Sequence, residues 1–152
     1  MDVVNLGLGG GAHLEREMGE YLASRDDWDV ASLEMGINLL GGKTTVDEFR
    51  ARVRGFLGAI AQRRPEKWVF CVDLFTCADD FRRNPKIAAF RAVVREEVAA
   101  LALPRFVHLD GRDLLREPTG LSSDLLHPTS DGFAEIAQRL GAEMRRALPL
   151  SA

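Results

Sequence analysis

The chain has 152 residues, of which 46% are hydrophobic and 28% are charged, and its formal net charge is -3. This length and composition predict one globular domain over residues 1–152 and exclude intrinsic disorder. The basic residues form no patch with interleaved aromatic side chains, which is the pattern of nucleic-acid binding proteins. We therefore expect no nucleic-acid partner.

Hydropathy and cysteine content indicate in which cellular compartment the protein is expected. The sequence shows neither an apolar run of membrane-spanning length nor a signal peptide, so we expect no membrane span and favour a cytoplasmic protein. Cys71 and Cys77 do not have zinc-site spacing, and we expect no structural metal. We predict a buried thiol and a loop thiol, with a disulfide between them as the alternative.

Apolar runs of strand length alternate with segments of helical periodicity along the whole chain. The first run, Val3–Leu6, leads into the glycine turn of residues 7–11. A helix that ends near Ser24 is predicted next, because its apolar side chains recur at helical spacing: Leu14, Met18 and Leu22. The first unit is therefore predicted to be a strand, a glycine turn and a helix.

The second predicted strand, Val30–Met35, is followed by a loop through Gly41-Gly42 and a longer helix. Thr45 with Glu48 three residues later is a capping box, which predicts that this helix begins directly after Thr45. One stripe of the helix collects the apolar side chains Val46, Phe49, Val53, Phe56, Leu57 and Ile60. This stripe is predicted to be buried.

The third strand is Trp68–Phe75, Asn84-Pro85 then opens a helix, and the fourth strand is Phe106–Leu109. The inward side chains of that helix are predicted to be Ile87, Phe90, Val93, Val94, Val98 and Leu101. The last helix follows Pro128, with its apolar side chains in register at Phe133, Ile136, Leu140 and Met144. Such alternation predicts a three-layer α/β/α sandwich around a mainly parallel sheet.

The Ser123–Pro128 segment carries a carboxylate and an imidazole three residues apart. Histidine suits the role of general base because imidazole titrates near neutral pH. Asp124 would orient the ring of His127 and stabilise the imidazolium that forms when the ring accepts a proton. A solvated loop pair is the alternative, because two residues at this spacing also occur together by chance.

Glycine and polar residues follow the predicted strands at their carboxyl ends, where open α/β sheets bind ligands. The candidates are the glycine turn of residues 7–11, Gly36 with Asn38, residues 73–76, and Asp124 with His127. Because parallel strands end at one edge of the sheet, we expect all of them to converge on one crevice. This expected convergence favours the acid–base interpretation over the solvated loop pair.

Three short blocks in this order resemble the SGNH hydrolases, also called GDSL esterases, a superfamily of flavodoxin-like ester hydrolases and acyltransferases. The glycine turn, with Gly10 as the best match, resembles the block whose backbone N–H contributes to the oxyanion hole. Gly36-Ile37-Asn38 resembles the block whose asparagine donates to the same oxygen, and the segment from Asp124 to Pro128 resembles the block of the acid and the base. The resemblance implies a small-molecule ester or acylated substrate, with no cofactor and no metal, and four catalytic residues: His127, Asp124, Asn38 and Gly10.

The sequence departs from the family in one respect, since it contains no Gly-Asp-Ser block, which carries the nucleophilic serine. The family places that block at the end of a central strand that precedes Val3–Leu6. We therefore expect residues 1–152 to be the carboxy-terminal part of a longer protein, with the first strand missing and little ester hydrolysis by this chain alone. The sheet edge that the missing strand leaves open predicts a homo-oligomer.

The remaining serines and histidines are predicted to be structural. Ser122 and Ser123 lie beside the acid–base pair but lack the strained elbow that presents a nucleophile, and Ser32 lies within a strand. His108 lies within the fourth strand. His13 opens the first helix near the glycine turn, and a substrate contact is its alternative role.

Two functions outside ester hydrolysis stay open. Gly7-x-Gly9-x-x-Ala12 follows a predicted strand, and Glu34 ends the next strand where a ribose-binding acid would stand, as in a dinucleotide-binding module. A non-catalytic carbohydrate- or acyl-binding remnant is the other alternative, because the serine block is absent. A metal site that combines the acid–base pair with Asp131 is disfavoured, since no second histidine lies nearby.

Overall fold

The structure, a computed structural model, describes residues 2–149. Its sheet has three parallel strands in the order β1-β2-β3, which are Val30–Glu34, Trp68–Val72 and Phe106–Leu109. The helices are α1 Arg16–Ser24, α2 Ile37–Leu40, α3 Val46–Arg63, α4 Ala78–Phe81, α5 Pro85–Leu101, α6 Gly111–Leu114 and α7 Ser130–Ala147, with a 3-10 helix at Pro118–Gly120. The predicted α/β class and the alternation of strands and helices are confirmed.

Local chemistry sets the starts of the two long central helices. The Thr45 hydroxyl accepts a hydrogen bond from the Glu48 N–H, and the Glu48 carboxylate accepts one from the Thr45 N–H at 2.7 Å. The Asn84 side chain accepts from the Lys86 N–H at the start of α5, where Pro85 has no N–H that would need an acceptor. The predicted capping box and the Asn-Pro helix start are both confirmed.

The predicted first strand, Val3–Leu6, is wrong, because the segment forms no strand. Its side chains are exposed, with Val3 at 80% and Val4 at 63%. A strand needs a neighbour for its backbone N–H and C=O groups, and among residues 2–149 this segment has none. The side of β1 that faces away from β2 is an open edge within the same described residues.

Both faces of the central strand β2 are buried. Val69 and Cys71 belong to the main hydrophobic cluster together with side chains of α3 and α5, where the rings of Phe49 and Phe90 stack 4.0 Å apart. The alternate residues Phe70 and Val72, which point to the opposite face, are also buried. Both sides of β2 are therefore covered, as the predicted three-layer sandwich requires of a central strand, whereas Ser32 and Glu34 of β1 are exposed.

The apolar stripe of α7 is narrower than its periodicity predicts. Ile136 is buried in a small second cluster with Leu115 and Leu121, but Phe133 is 60% exposed, so its predicted inward orientation is wrong. The helix packs against α6 and the 3-10 helix rather than across the whole sheet. Only part of its apolar stripe is therefore buried. Met18 of α1, also predicted inward, is 37% exposed.

The strands end earlier than predicted. β1 ends at Glu34 and β2 at Val72, while Met35 and Asp73 still donate single backbone hydrogen bonds to the neighbouring strands. Gly36 follows β1 with φ of 118°, a left-handed conformation that turns the chain away from the sheet. The carboxyl edge of the sheet is thus formed by loops, which carry the candidate site residues.

Predictions on the cysteines and on membrane spans can also be compared with the structure. Cys71 and Cys77 are free and both are buried, so the loop position of Cys77 does not expose its thiol, and burial raises the pKa of Cys71 to about 12. Asp110, which directly follows β3, caps α6 by accepting from the Arg112 N–H. No helix among residues 2–149 is long and apolar enough to cross a membrane.

Candidate active site

Asp124 and His127 lie on a closed turn between the 3-10 helix and α7. Oδ2 of Asp124 lies 2.7 Å from Nδ1 of His127. The turn is closed by an antiparallel bridge between Leu121 and Pro128 and by the Ser122 N–H, which donates to the His127 carbonyl at 2.8 Å. The acid and the base therefore meet through local geometry, and the His127 side chain remains 74% exposed.

The other carboxylate oxygen of Asp124 organises this turn. Oδ1 accepts hydrogen bonds from the Ser122 hydroxyl at 2.7 Å, the Leu126 N–H at 2.8 Å and the His127 N–H at 3.0 Å. The bond to the His127 ring, followed by those from Ser122 and the two backbone N–H groups, holds the pKa of Asp124 well below its usual range. The carboxylate therefore stays ionised, and the Ser122 hydroxyl is engaged with the acid rather than with the imidazole.

Asn38 lies against the glycine turn. Its Nδ2 donates to the Ala12 carbonyl at 3.3 Å, which brings α2 next to residues 8–12. The turn itself is closed by hydrogen bonds from the Gly11 and Ala12 N–H groups to the Leu8 carbonyl. Gly10 stands at the tip of this turn with φ of 70°. The two candidate oxyanion donors, Gly10 N–H and Asn38 Nδ2, thus belong to contacting segments.

The Asn38–Gly10 pair and the Asp124–His127 pair lie on either side of residues 74–78, which follow β2 and are called the exit segment here. A Cβ atom on Gly36 would lie 3.0 Å from Leu74, so the Asn38 loop packs against the start of this exit segment. Four residues later, the Ala78 N–H donates to the Leu125 carbonyl at 2.7 Å, which fastens the Asp124–His127 turn to its end. Both pairs therefore lie at the carboxyl edge of the sheet, although no hydrogen bond between described residues joins one pair directly to the other.

A buried arginine fixes the exit segment between the two pairs. Arg91 of α5 is 4% exposed and donates to the carbonyls of Leu74 and Phe75, each at 2.9 Å. It also binds the carboxylate of Asp80 in α4, with Nη2 and Oδ2 2.9 Å apart. Periodicity does not single out Arg91, since a charged side chain on a helix is normally interpreted as exposed.

The structure contains a second acid–imidazole pair that the sequence analysis missed. Asp73 is 1% exposed; its Oδ2 lies 2.8 Å from Nε2 of His108, and its Oδ1 accepts from the Gly111 N–H at 2.8 Å. The two residues are 35 positions apart, and only the β2–β3 register brings them together. His108 also borders an open cavity of about 540 Å³ between β3 and α7, away from the Asp124–His127 turn.

Glu34, the end of β1, has an unusual environment. Its side chain reaches the surface, yet desolvation by the surrounding protein, followed by the charge of Asp73, raises the pKa of its carboxyl to about 7. The elements of a dinucleotide fingerprint are not assembled here, because residues 2–6, which precede the glycine turn, form no strand and α1 begins only at Arg16. Among residues 2–149, no three potential ligands cluster to hold a metal ion.

Comparison with known proteins identifies the family. The GDSL-like lipase/acylhydrolase family model matches residues 1–134, and the chain belongs to this family. The predicted resemblance to the GDSL esterase family is thereby confirmed. The chain has no significant match among curated proteins.

Solved structures share the fold at low sequence identity. A salicylyl-acyltransferase of a tetracycline biosynthetic pathway is 22% identical, with a TM-score of 0.74 over 90% of this chain and 42% of its own. A Bacteroides ovatus protein assigned as a GDSL-like lipase is 20% identical, with a TM-score of 0.78 over 97% of this chain and 44% of its own. A carbohydrate esterase family 3 protein from Talaromyces cellulolyticus is 16% identical, with a TM-score of 0.64 over 88% and 69%, respectively. The chain spans less than half the length of the first two structures.

Proposed function

We propose that this chain supplies the acid–base pair and the oxyanion donors of a serine-dependent ester hydrolase or acyltransferase. The observation that carries the proposal is the 2.7 Å contact between Asp124 Oδ2 and His127 Nδ1 in a chain of the GDSL-like family. A carboxylate on Nδ1 favours the tautomer with its proton there, which leaves Nε2 as the free base. The exposure of the His127 ring makes that nitrogen accessible to a nucleophile.

In the proposed reaction, a serine hydroxyl attacks the ester carbonyl while Nε2 of His127 takes its proton. Gly10 N–H and Asn38 Nδ2 donate to the oxygen that becomes negatively charged in the tetrahedral intermediate. His127 then returns the proton to the leaving alkoxide. The contact between Asn38 and the glycine turn supports this assignment, because it keeps the two donors on neighbouring segments.

The serine is proposed to come from a strand outside these 152 residues. The open edge of β1 and the exposed, unpaired segment 3–6 support this idea, since one inserted parallel strand would pair with both. Such a strand would end beside Gly36 and the glycine turn, at the carboxyl edge of the sheet. We therefore interpret residues 1–152 as part of one domain of a longer protein and expect this chain alone to be inactive.

The test compares p-nitrophenyl acetate turnover by the 152-residue chain with turnover by a longer polypeptide in which a Gly-Asp-Ser strand precedes it. We expect turnover only in the longer form, and we expect His127→Ala to remove it. Turnover by the short chain that is lost in Ser122→Ala would show that an internal serine serves instead. A longer form that folds but stays inactive would favour the non-catalytic remnant, which the absent serine block makes the second candidate.

A further inference from the structure

The turn that holds the acid and the base also exposes two leucines. Leu125 and Leu126 lie between Asp124 and His127, with 42% and 40% of their surfaces exposed. The hydrogen bonds that close the turn are made by the Asp124 carboxylate and by backbone groups. The two leucine side chains take no part in these hydrogen bonds, and the residues directly precede His127 in the chain without belonging to either hydrophobic cluster.

Leu125 occupies a backbone conformation that leucine disfavours. Its φ is 54°, in the left-handed region, where glycine or asparagine is typical. The conformation is fixed by the Leu125 N–H, which donates to Ser122 at 2.9 Å, and by the Leu125 carbonyl, which accepts from Ala78. A large apolar side chain here costs free energy in strain and in exposure, and Leu125 belongs to neither hydrophobic cluster of residues 2–149.

A third exposed apolar side chain stands on the neighbouring helix. Phe81 is 55% exposed at the end of α4, and α4 begins at Ala78, whose N–H is the donor to Leu125. Phe81 is therefore the exposed apolar side chain of the short helix that the Ala78–Leu125 hydrogen bond joins to the turn. We call Phe81, Leu125 and Leu126 the apolar rim.

We propose that the apolar rim binds the alcohol portion of the substrate, and that this alcohol is a hydrophobic aliphatic or aromatic one rather than a sugar. The proposal rests on the proposed function, because it uses the geometry of the reaction at His127. The serine oxygen–acyl carbon bond forms, the acyl carbon–alkoxy oxygen bond breaks, and the serine proton passes through Nε2 to the departing oxygen. The alkoxy group must therefore lie within hydrogen-bond reach of His127.

This geometry favours the alcohol over other occupants. The carbonyl oxygen points towards the oxyanion donors at Gly10 and Asn38, whereas the group on the departing oxygen remains beside the imidazole and thus beside the leucines. Three partly exposed side chains form too small a surface for a stable protein interface, which buries more than about 1,000 Å². Their size suits a short alkyl chain or an aromatic ring. In acyl transfer, the same rim would receive the acceptor alcohol.

A binding experiment on the 152-residue chain tests the rim without requiring catalysis. Ethanol and 1-hexanol are titrated while the methyl NMR signals of Leu125 and Leu126 are followed. We expect saturable shifts with hexanol, and affinity that rises roughly two- to fourfold per added methylene along the alcohol series. Leu125→Gly, which removes the side chain and the strain together, and Leu126→Gln should each abolish the response, while the exposed-helix control Met18→Gln should retain it. Methyl signals that do not shift when hexanol is added would overturn the proposal.

A kinetic experiment on the longer, serine-containing form separates the alcohol from the acyl side. For acetate esters from ethyl to hexyl, kcat/KM should rise with alcohol length, and Leu126→Gln should flatten this series. The same variant should leave the series from ethyl acetate to ethyl hexanoate unchanged. The assignment would be contradicted if kcat/KM of Leu126→Gln lost its dependence on acyl length but kept its dependence on alcohol length. No turnover of any ester, with hexanol still bound at the rim, would refute the proposed hydrolase function and leave the rim as an alcohol-binding surface.

Discussion

The Asp124 carboxylate contacts the ring of His127 at 2.7 Å and, through its other oxygen, the backbone N–H of the same residue at 3.0 Å. One side chain thus holds both the ring and the main chain of the base. This double hold distinguishes the pair from a chance ion pair at the surface, which has no fixed geometry.

Replacing the acid should therefore affect catalysis more than folding. In the serine-containing form, Asp124→Asn should lower kcat by about 10²- to 10⁴-fold, because an amide cannot stabilise the imidazolium and can donate to Nδ1, which favours the wrong tautomer. The backbone bonds to Oδ1 can persist in the variant. Steady-state ester kinetics and far-UV circular dichroism measure the two effects. Wild-type kcat in a folded Asp124→Asn variant would contradict the role of the acid.

Asn38→Ala tests the oxyanion donor. The loss of one such donor typically lowers kcat by about 100- to 1000-fold. The cost in stability should be small, since the Nδ2 bond to Ala12 is long at 3.3 Å and exposed. Ester turnover in the serine-containing form, with thermal unfolding as the control for folding, provides the measurement. An unchanged kcat would remove Asn38 from the site.

Glu34 predicts a particular dependence of stability on pH. Its carboxyl has a pKa of about 7 in the folded chain against an ordinary value of 4.5. Between these values the unfolded chain loses the proton and the folded chain keeps it, so the free energy of unfolding should fall as pH rises across this window. Glu34→Gln should flatten that part of the profile and raise stability near neutral pH.

The comparison uses urea unfolding of wild type and Glu34→Gln at several pH values from about 4 to about 8. Glu117→Gln, a change of the same kind at another exposed carboxylate, serves as the matched control and should keep the wild-type slope. If Glu34→Gln and Glu117→Gln give the same profile, the environment of Glu34 does not raise its pKa in solution.

The open edge of β1 predicts self-association of the 152-residue chain. In a parallel ladder, alternate backbone groups of a strand face opposite edges, and Met35 faces β2 because it donates to Val72. Residues at odd positions therefore face β2, and Ser32 should present its N–H to the open edge. Ser32→Pro should remove that donor and leave the β1–β2 ladder intact.

Sedimentation analysis of the two chains gives the test. We expect wild type to form a homo-oligomer at micromolar concentration and Ser32→Pro to be monomeric, while Ser32→Thr, which keeps the N–H, should behave as wild type. A monomeric wild-type chain would contradict the predicted association. An oligomer that survives Ser32→Pro would place the interface elsewhere.

Some features of the site are predictable from the sequence because they are built within a few residues. The Thr45–Glu48 capping box, the Asn84-Pro85 helix start and the Asp124–His127 contact each join residues no more than three positions apart. Side chains at such separations meet through local backbone geometry alone. The family blocks belong to the same class of short motifs.

Other features depend on partners far along the chain. Val3–Leu6 has the composition of a strand but lacks a neighbour, and Phe133 has helical periodicity but lies beyond the support of α7. The Asp73–His108 pair exists only because β2 and β3 adopt one register. A pattern can state that a residue suits a strand or a core, but it cannot supply the surface against which the residue packs.

The amino-acid sequence by itself determined the α/β alternation, the helix starts and the contact between Asp124 and His127, because propensity, capping and three-residue spacing act locally. The tertiary structure alone decided that the first apolar segment stays unpaired, that Arg91 holds the loop between the two halves of the site, and that Leu125 and Leu126 remain exposed beside His127. These outcomes depend on long-range hydrogen bonds and packing, whose free energy appears only when distant segments meet.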